Sequence, residues 1–205
     1  MDKECINEIK KEIKSSLLIS LHNYDKYQYL LKDIPHKKYM DMVAVVKCMV
    51  LGDGGMKCFD ITNDMLDCMY MTENELIKTA ISNSRKRFGI LFASFREFFD
   101  IKDIDVDDSP QDIYFLTNTE MYFGAATLLY NGINHYIYEK LESNFYVIPA
   151  NIHQLIVIPD KNIEMNINDI HNSVEMVNEF TLDEEEFLSH NYYYYDRVLD
   201  ELIMQ

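Results

Sequence analysis

The sequence predicts an α+β fold: a mixed or mainly antiparallel sheet covered by helices, with helices at both termini. Three observations lead there. Met42 to Leu51 and Phe145 to Pro159 are apolar runs rich in β-branched residues and broken by turn formers, which is how strands read. Elsewhere apolar residues recur at three- and four-residue steps, the period of a helix face. Thr72-Glu73-Asn74-Glu75 has the form of a capping box, in which hydroxyl and carboxylate satisfy each other's backbone N–H groups.

Taken in order, Ile6, Ile9, Ile13 and Leu17 mark an amphipathic helix, with lysines and glutamates on its other face. Tyr24 to Leu31 reads as a further helical turn or two that Pro35 stops. Met42 to Leu51, Gly52-Asp53-Gly54-Gly55 and Met56 to Ile61 form a hairpin. Its first strand is apolar throughout except Lys47, so it is expected to be covered on both faces. The capped helix presents Leu76, Ile77, Ala80 and Ile81, and Phe88, Leu91, Phe92, Phe95 and Phe99 extend a second helical stripe suited to core packing.

The aspartate-rich stretch 101–111 reads as an exposed loop. It leaves either one domain over 1–205 or a two-part arrangement of 1–100 and 112–205. Asp103, Asp105 and Asp107 alternate as in a calcium loop, but the glycine and closing glutamate such a loop needs are missing. Ile113 to Leu116 and Phe123 to Tyr130 read as strands. Ile133, Tyr136, Ile137 and Leu141 mark a helix, and Phe145 to Pro159 supplies two more strands. Ile167, Ile170, Val174 and Val177 mark another helix, and Asp183 to Met204 a last one with Leu188, Tyr192, Tyr195, Leu199 and Leu202 inward. A faint echo links Thr62-Asn63 with Thr117-Asn118, each closing an apolar strand with residues suited to a turn or cap.

At 205 residues the chain can bury roughly 70% of its unfolded surface without disulfides or a structural metal. The net charge of −16 argues against direct nucleic-acid binding, which depends on neutralising phosphates with Lys and Arg. Arg85-Lys86-Arg87 is too short to reverse that and reads as a solvated helix end. No apolar run approaches the roughly 20 residues that span a bilayer, and the charged start is unlike a signal peptide. Cys5, Cys48, Cys58 and Cys68 lack zinc-ligand spacing and read as reduced thiols. The chain is therefore expected to be cytoplasmic, with no cofactor and no membrane partner.

The chain resembles an uncharacterised bacterial domain-of-unknown-function family, number 5688. Four blocks carry the likeness, in order along nearly the whole chain. They are Asn23-Tyr24-Asp25 with Leu30 to His36 and Asp41-Met42-Val43; Leu116-Thr117-Asn118 with Phe123-Gly124-Ala125-Ala126 and Leu129-Tyr130; Val147-Ile148-Pro149 with Ile152-His153; and Glu175 to Glu179 with Leu188-Ser189 and Tyr195-Asp196. Members often extend further before this region, so Met1 is expected to open a short or trimmed member. The family pattern resembles Pro-Ser-Ser-Ile-His-Glu where this chain has Pro149-Ala150-Asn151-Ile152-His153-Gln154. Both hydroxyls are gone and the acid has become an amide, which cannot serve as a general base. The resemblance implies no activity.

The polar break inside Phe145 to Pro159 is the first place to look for a site: Asn151, His153 and Gln154 as ligand-binding residues, and His153 as a catalytic group. His153 is equally suited to fastening a loop, because a neutral imidazole donates from one nitrogen and accepts at the other. His36 and Asp41 form a second catalytic candidate, an Asp–His pair with no nucleophile to serve. His171 and Glu175, with Glu179 a turn on, share a helix face as metal ligands require, but that spacing is common on solvated faces. Gly52 to Gly55 does not lead into the Lys-Ser or Lys-Thr of a phosphate loop, and there is no Gly-x-Ser-x-Gly elbow.

The run Tyr192 to Tyr195, placed on a helix, would point all round it, serving either packing on the rest of the domain or an interface for a protein partner or homo-oligomer. The leading expectation is a non-catalytic cytoplasmic binding domain. The alternative is a hydrolase or metal-dependent enzyme centred on His153, and an acidic nucleic-acid mimic stands third.

Overall fold

A computed structural model describes residue 8 and residues 11–52, 55–100, 113–162 and 184–205. The chain divides into two compact units, Met1–Gly89 and Ile90–Gln205. The α+β expectation holds, and every strand pairing among the described residues is antiparallel. The strands fall in two separate sheets rather than one. Ile6, Ile9, the aspartates of 101–111 and the helix expected at 167–177 lie outside the described residues.

In the first unit a helical stretch over 11–15 ends one turn sooner than its spacing suggests, because Leu17 opens a strand. Strand β1 (Leu17–Asn23) pairs with β3 (Met42–Gly52) from Leu17↔Cys48 to Asn23↔Met42. Asn23 ends β1 and caps helix α1 (Tyr24–Tyr27), its Oδ1 accepting from the Lys26 N–H at 3.0 Å. Strands β2 (His36–Tyr39) and β4 (Gly55–Asp60) share the other edge of β3, at successive positions along it.

The unbroken apolarity of β3 has the expected cause. Met42, Val43, Ala44, Val45, Val46, Cys48 and Met49 are all buried, so both faces are covered. Val43 and Val45 pack with Ile34 under Tyr24, Tyr27, Leu30 and Leu31, while Met49 packs with Leu18 and Phe88. Lys47, the one charge, meets Asp60 of β4 at 2.7 Å.

Helix α2 (Asn63–Met69) is capped by Thr72's earlier counterpart Thr62, and α3 (Glu73–Phe88) by the capping box read from the sequence. Helix α3 covers the outer edge of β1. Ser84 Oγ accepts from Ile19 N–H at 3.0 Å, and Asn83 Nδ2 donates to the Leu17 carbonyl at 3.2 Å. Edge groups that would template another strand are thereby occupied.

The aromatic stripe beyond Phe88 is not a helix. Gly89, at φ 62°, ends α3, and Leu91–Ser94 forms strand β5 of the second unit. Ser94 and Glu97 make another capping box opening the single turn α4 (Phe95–Phe98). Phe95, Phe98 and Phe99 gather round Phe115, the closest centroid separation being 4.4 Å from Phe98. Of the expected core stripe only Phe88 is buried; Leu91, Phe92 and Phe95 are half-buried and Phe99 is 54% exposed, because two short elements replace one long helix.

The second sheet runs β10-β9-β7-β8-β6-β5. Besides β5 it comprises β6 (Tyr114–Thr117), β7 (Phe145–Asn151), β8 (Gln154–Pro159), β9 (Tyr193–Asp196) and β10 (Glu201–Met204). The strand expected over Phe123 to Tyr130 is instead a 3-10 helix, Gly124–Leu129, preceding α5 (Ile133–Leu141). Its small residues lie flat against the sheet, Ala125 and Ala126 being essentially inaccessible.

The helix expected at the C-terminal end is also corrected: Asp183 to Met204 holds β9 and β10. Tyr193 and Tyr195 are fully buried while Tyr194 is half-buried, a two-residue alternation that suits aromatic residues to a pleated sheet. Asp200, at φ 54°, turns the chain between the two strands. The tyrosines therefore form core, not the all-round display a helix would give.

Candidate functional site

The polar break lies at the tip of the β7–β8 hairpin. Asn151 pairs with Gln154, leaving Ile152 and His153 as the turn, and a register shift sits between Pro149 and Asn151. Proline in a central strand is tolerated at such an irregularity because it has no N–H to give the ladder. Asn151 closes the turn: its Oδ1 accepts from His153 N–H at 2.8 Å and Gln154 N–H at 3.1 Å. Gln154 is half-buried in β8.

Both ring nitrogens of His153 are engaged. The Phe123 backbone N–H, which can only donate, lies 3.0 Å from Nδ1. Nδ1 is therefore the acceptor, and the neutral ring carries its proton on Nε2, facing Glu186 Oε1 at 3.3 Å. That second contact is long for a hydrogen bond, so Phe123 is the firmer partner. The Phe123 ring lies nearly parallel to the imidazole, 17° apart at a centroid separation of 5.9 Å.

The same turn is tied down through its backbone. Thr117 Oγ1 donates to the His153 carbonyl at 2.7 Å, Ala125 N–H to the Ile152 carbonyl at 3.2 Å, and Ile152 N–H to the Glu186 carbonyl at 2.9 Å. Gly124 is wedged beside this knot: a Cβ there would lie 1.9 Å from Thr117 Oγ1 and 2.2 Å from the His153 carbonyl oxygen. Asn118, 2% exposed, shapes the preceding loop by donating to the Tyr122 carbonyl and accepting from the N–H groups of Glu120 and Tyr122. Phe123 is held left-handed at φ 53°. His153 was legible in the sequence, and so was a turn role for Thr117-Asn118, which Asn118 fills; Gly124 and Glu186 had no role assigned. Glycine within an apolar run was the available signal for a close backbone approach.

The echo at Thr62-Asn63 resolves into different chemistry. Thr62 Oγ1 accepts from Met65 N–H as a helix cap, whereas Thr117 Oγ1 donates to a carbonyl.

His36 and Asp41 belong to the first unit. His36 opens β2 and its Nδ1–H donates to the Ile34 carbonyl at 3.0 Å, while Asp41 lies in the turn beyond the strand's other end and its carbonyl accepts from Tyr24 N–H. His171 and Glu175 lie outside the described residues. Among the described residues no group of three or more His, Cys, Asp or Glu side chains could hold a metal ion. No helix there is long and apolar enough to cross a membrane.

A serine–histidine contact that the sequence reading did not pick out occurs in β1, where His22 Nε2 lies 3.0 Å from Ser20 Oγ. Both residues are buried, at 4% and 0% exposed, and the Tyr27 ring stacks on the imidazole at 4.1 Å. Ser20 Oγ has one proton and two acceptors in reach, His22 Nε2 at 3.0 Å and the Val45 carbonyl at 3.4 Å. Buried this fully, the hydroxyl is closed to solvent, where a nucleophile would have to meet its substrate.

Phenols in the second sheet are held neutral. Burial pushes Tyr195 up to about 12, helped by its hydrogen bond to Asp200 Oδ1 at 2.7 Å. Burial also raises Tyr194 and Tyr146; Tyr194 Oη donates to Asp160 Oδ2 and accepts from Asn144 Nδ2.

No curated protein and no solved structure matches the chain. One family model does, over residues 2–197, and three of the blocks that carried the resemblance land on the fastenings just described: Thr117, Asn118 and Gly124; His153; Tyr195. The chain thus belongs to the family of unknown function DUF5688.

Proposed function

We propose that this chain is a non-catalytic binding domain, working in the cytoplasm through a protein partner or a second copy of itself. The observation that carries this reading is the engagement of both His153 ring nitrogens by groups of the same unit. A general base must offer a lone pair to substrate. The one lone pair of this ring is directed at the Phe123 N–H. Asn151 is similarly committed to two N–H groups of its own turn.

The reading is tested with wild type and His153→Ala. Taking the acceptor from a partly buried N–H costs about 2 kcal/mol, which lowers the melting midpoint by roughly 4–8 °C. The expected result is that loss, no response of either protein to divalent metals, and no turnover of ester, phosphomonoester or peptide substrates. Turnover that disappears in His153→Ala at an unchanged midpoint would overturn it. So would a metal-induced rise seen only in wild type, or a tightly held small molecule in native mass spectra.

A further inference from the structure

We infer that His153 is an acid-sensitive latch on the turn at Phe123: the neutral ring holds that turn, and the protonated ring releases it and holds Glu186 instead. The two partners of the ring prefer opposite protonation states. The Phe123 N–H, 3.0 Å from Nδ1, can be met only by a nitrogen that carries no proton. The imidazolium has a proton on both nitrogens, so protonation sets donor against donor across that gap. Glu186 Oε1 lies 3.3 Å from Nε2, which carries a proton in both forms, and a carboxylate holds the charged form more strongly. Taking a proton therefore exchanges one partner for the other.

Other titratable groups on the elements round the ring are Tyr122, its ring centroid 5.7 Å away, and the exposed Glu120, Glu184 and Glu185. These acids act in the same direction as Glu186, weakened by solvent and salt. His190 lies against Phe187 instead, at 4.4 Å.

The turn itself is poised to respond. Phe123 stands at φ 53° and ψ 32°, a left-handed conformation that costs a bulky residue free energy and persists only where the surroundings enforce it. The amide that His153 accepts from belongs to this same residue. The other ties of the hairpin tip are Thr117 Oγ1 to the His153 carbonyl, Ala125 N–H to the Ile152 carbonyl and Ile152 N–H to the Glu186 carbonyl. None of these groups titrates in acid, so the latch frees the turn at Phe123 and leaves the sheet and the 3-10 helix in place. The His153 side chain is 23% exposed, which lets a proton reach it without unfolding. The inference uses the same ring geometry as the binding role but does not depend on it: turnover at His153 would remove that role, whereas the latch stands or falls on the Phe123 amide.

The test follows the Phe123 amide and the His153 ring by heteronuclear NMR of the full chain, from about pH 8 to pH 5, the span in which histidine changes charge. In wild type the two are expected to move together in one transition, with the protection factor of the Phe123 amide falling by up to about tenfold. His153→Asn sets an amide oxygen where Nδ1 stands and has no proton to gain, so its Phe123 amide should show no transition. Glu186→Gln takes away the charge that favours the protonated ring and should move the transition to lower pH. A ring that titrates while the Phe123 amide stays in place overturns the inference, as does a ring that stays neutral throughout that span. So does the same transition in His153→Asn. If that variant folds poorly, Glu186→Gln decides, and an unmoved transition there refutes the latch.

Discussion

Replacing Gly124 by alanine sets two physical effects against each other, and the structure decides the sign. Gly124 opens a 3-10 helix, and its backbone lies outside the left-handed region that favours glycine. On conformational grounds alone, alanine would be stabilising by roughly 0.5–1 kcal/mol, because glycine loses more freedom on folding. Yet the added carbon would sit 1.9 Å from Thr117 Oγ1, 2.2 Å from the His153 carbonyl oxygen and 2.9 Å from Thr117 Cβ. None of these is the loose end of a flexible side chain. The two oxygens are donor and acceptor of one hydrogen bond of 2.7 Å, at a threonine that is fully buried. The methyl must break that bond or push the hairpin tip off the 3-10 helix. Overpacking costs about 1–3 kcal/mol and stranding a buried hydrogen-bonding group about 1–3 kcal/mol. A net loss of about 3 kcal/mol lowers the midpoint by roughly 6–12 °C. Thermal melts and urea titrations of wild type, Gly124→Ala, Thr117→Ala and the double variant supply both the value and the coupling. Because Thr117→Ala relieves only part of the clash, the double variant should lose less than the sum of the single ones. An unchanged or higher midpoint for Gly124→Ala would refute the close approach, and with it the fastening of the His153 turn.

Thr127 is fully buried in the same 3-10 helix, and its hydroxyl has no hydrogen-bond partner among the described residues. Thr127→Val removes that hydroxyl at nearly the same shape, and denaturant titration should show a gain of about 1 kcal/mol; a loss of similar size would mean the hydroxyl is used. Tyr195 gives a pH dependence. Its phenol is raised from 10.0 to about 12, so its contribution is fully present below pH 10 and is lost as pH rises toward 12. Tyr195→Phe has no proton to lose, so the melting difference between it and wild type should shift in its favour across that window; parallel curves would contradict the burial argument.

The sheets were legible wherever one period ran without interruption. Met42 to Leu51 read as a strand covered on both faces, which holds from Met42 to Met49 and ends at Val50, 46% exposed. Thr72-Glu73-Asn74-Glu75 read as a helix start; chain-local chemistry marks both. Errors fell where two periods fit the same residues. Leu188, Tyr192, Tyr195, Leu199 and Leu202 sit at helical steps, yet Tyr193 and Tyr195 are also two apart, and pairing with Phe145 and Val147 made the second period the real one. That partner is almost fifty residues earlier, beyond the reach of any local pattern. Phe123 to Tyr130 failed in the opposite direction: an apolar run suggested a strand, while Gly124, Ala125 and Ala126 served close packing of a tight helix.

The candidate site shows the same division at the scale of single atoms. A histidine between apolar residues announces that a polar contact will be made, and its position at a strand's end was readable. Which contact it makes depends on the hydrogen-bonding groups that surround it. Here those groups come from Phe123 and Glu186, about thirty residues away in either direction along the chain. A backbone N–H is the deciding partner: it belongs to every residue except proline, so no side-chain motif can reveal it. Had the neighbour of Nδ1 been a carboxylate, the same histidine would have had an oriented Nε2 lone pair to offer a substrate. The difference between a proton shuttle and a structural tie therefore lies in one main-chain amide, placed by the left-handed turn at Phe123 that carries the chain into the 3-10 helix.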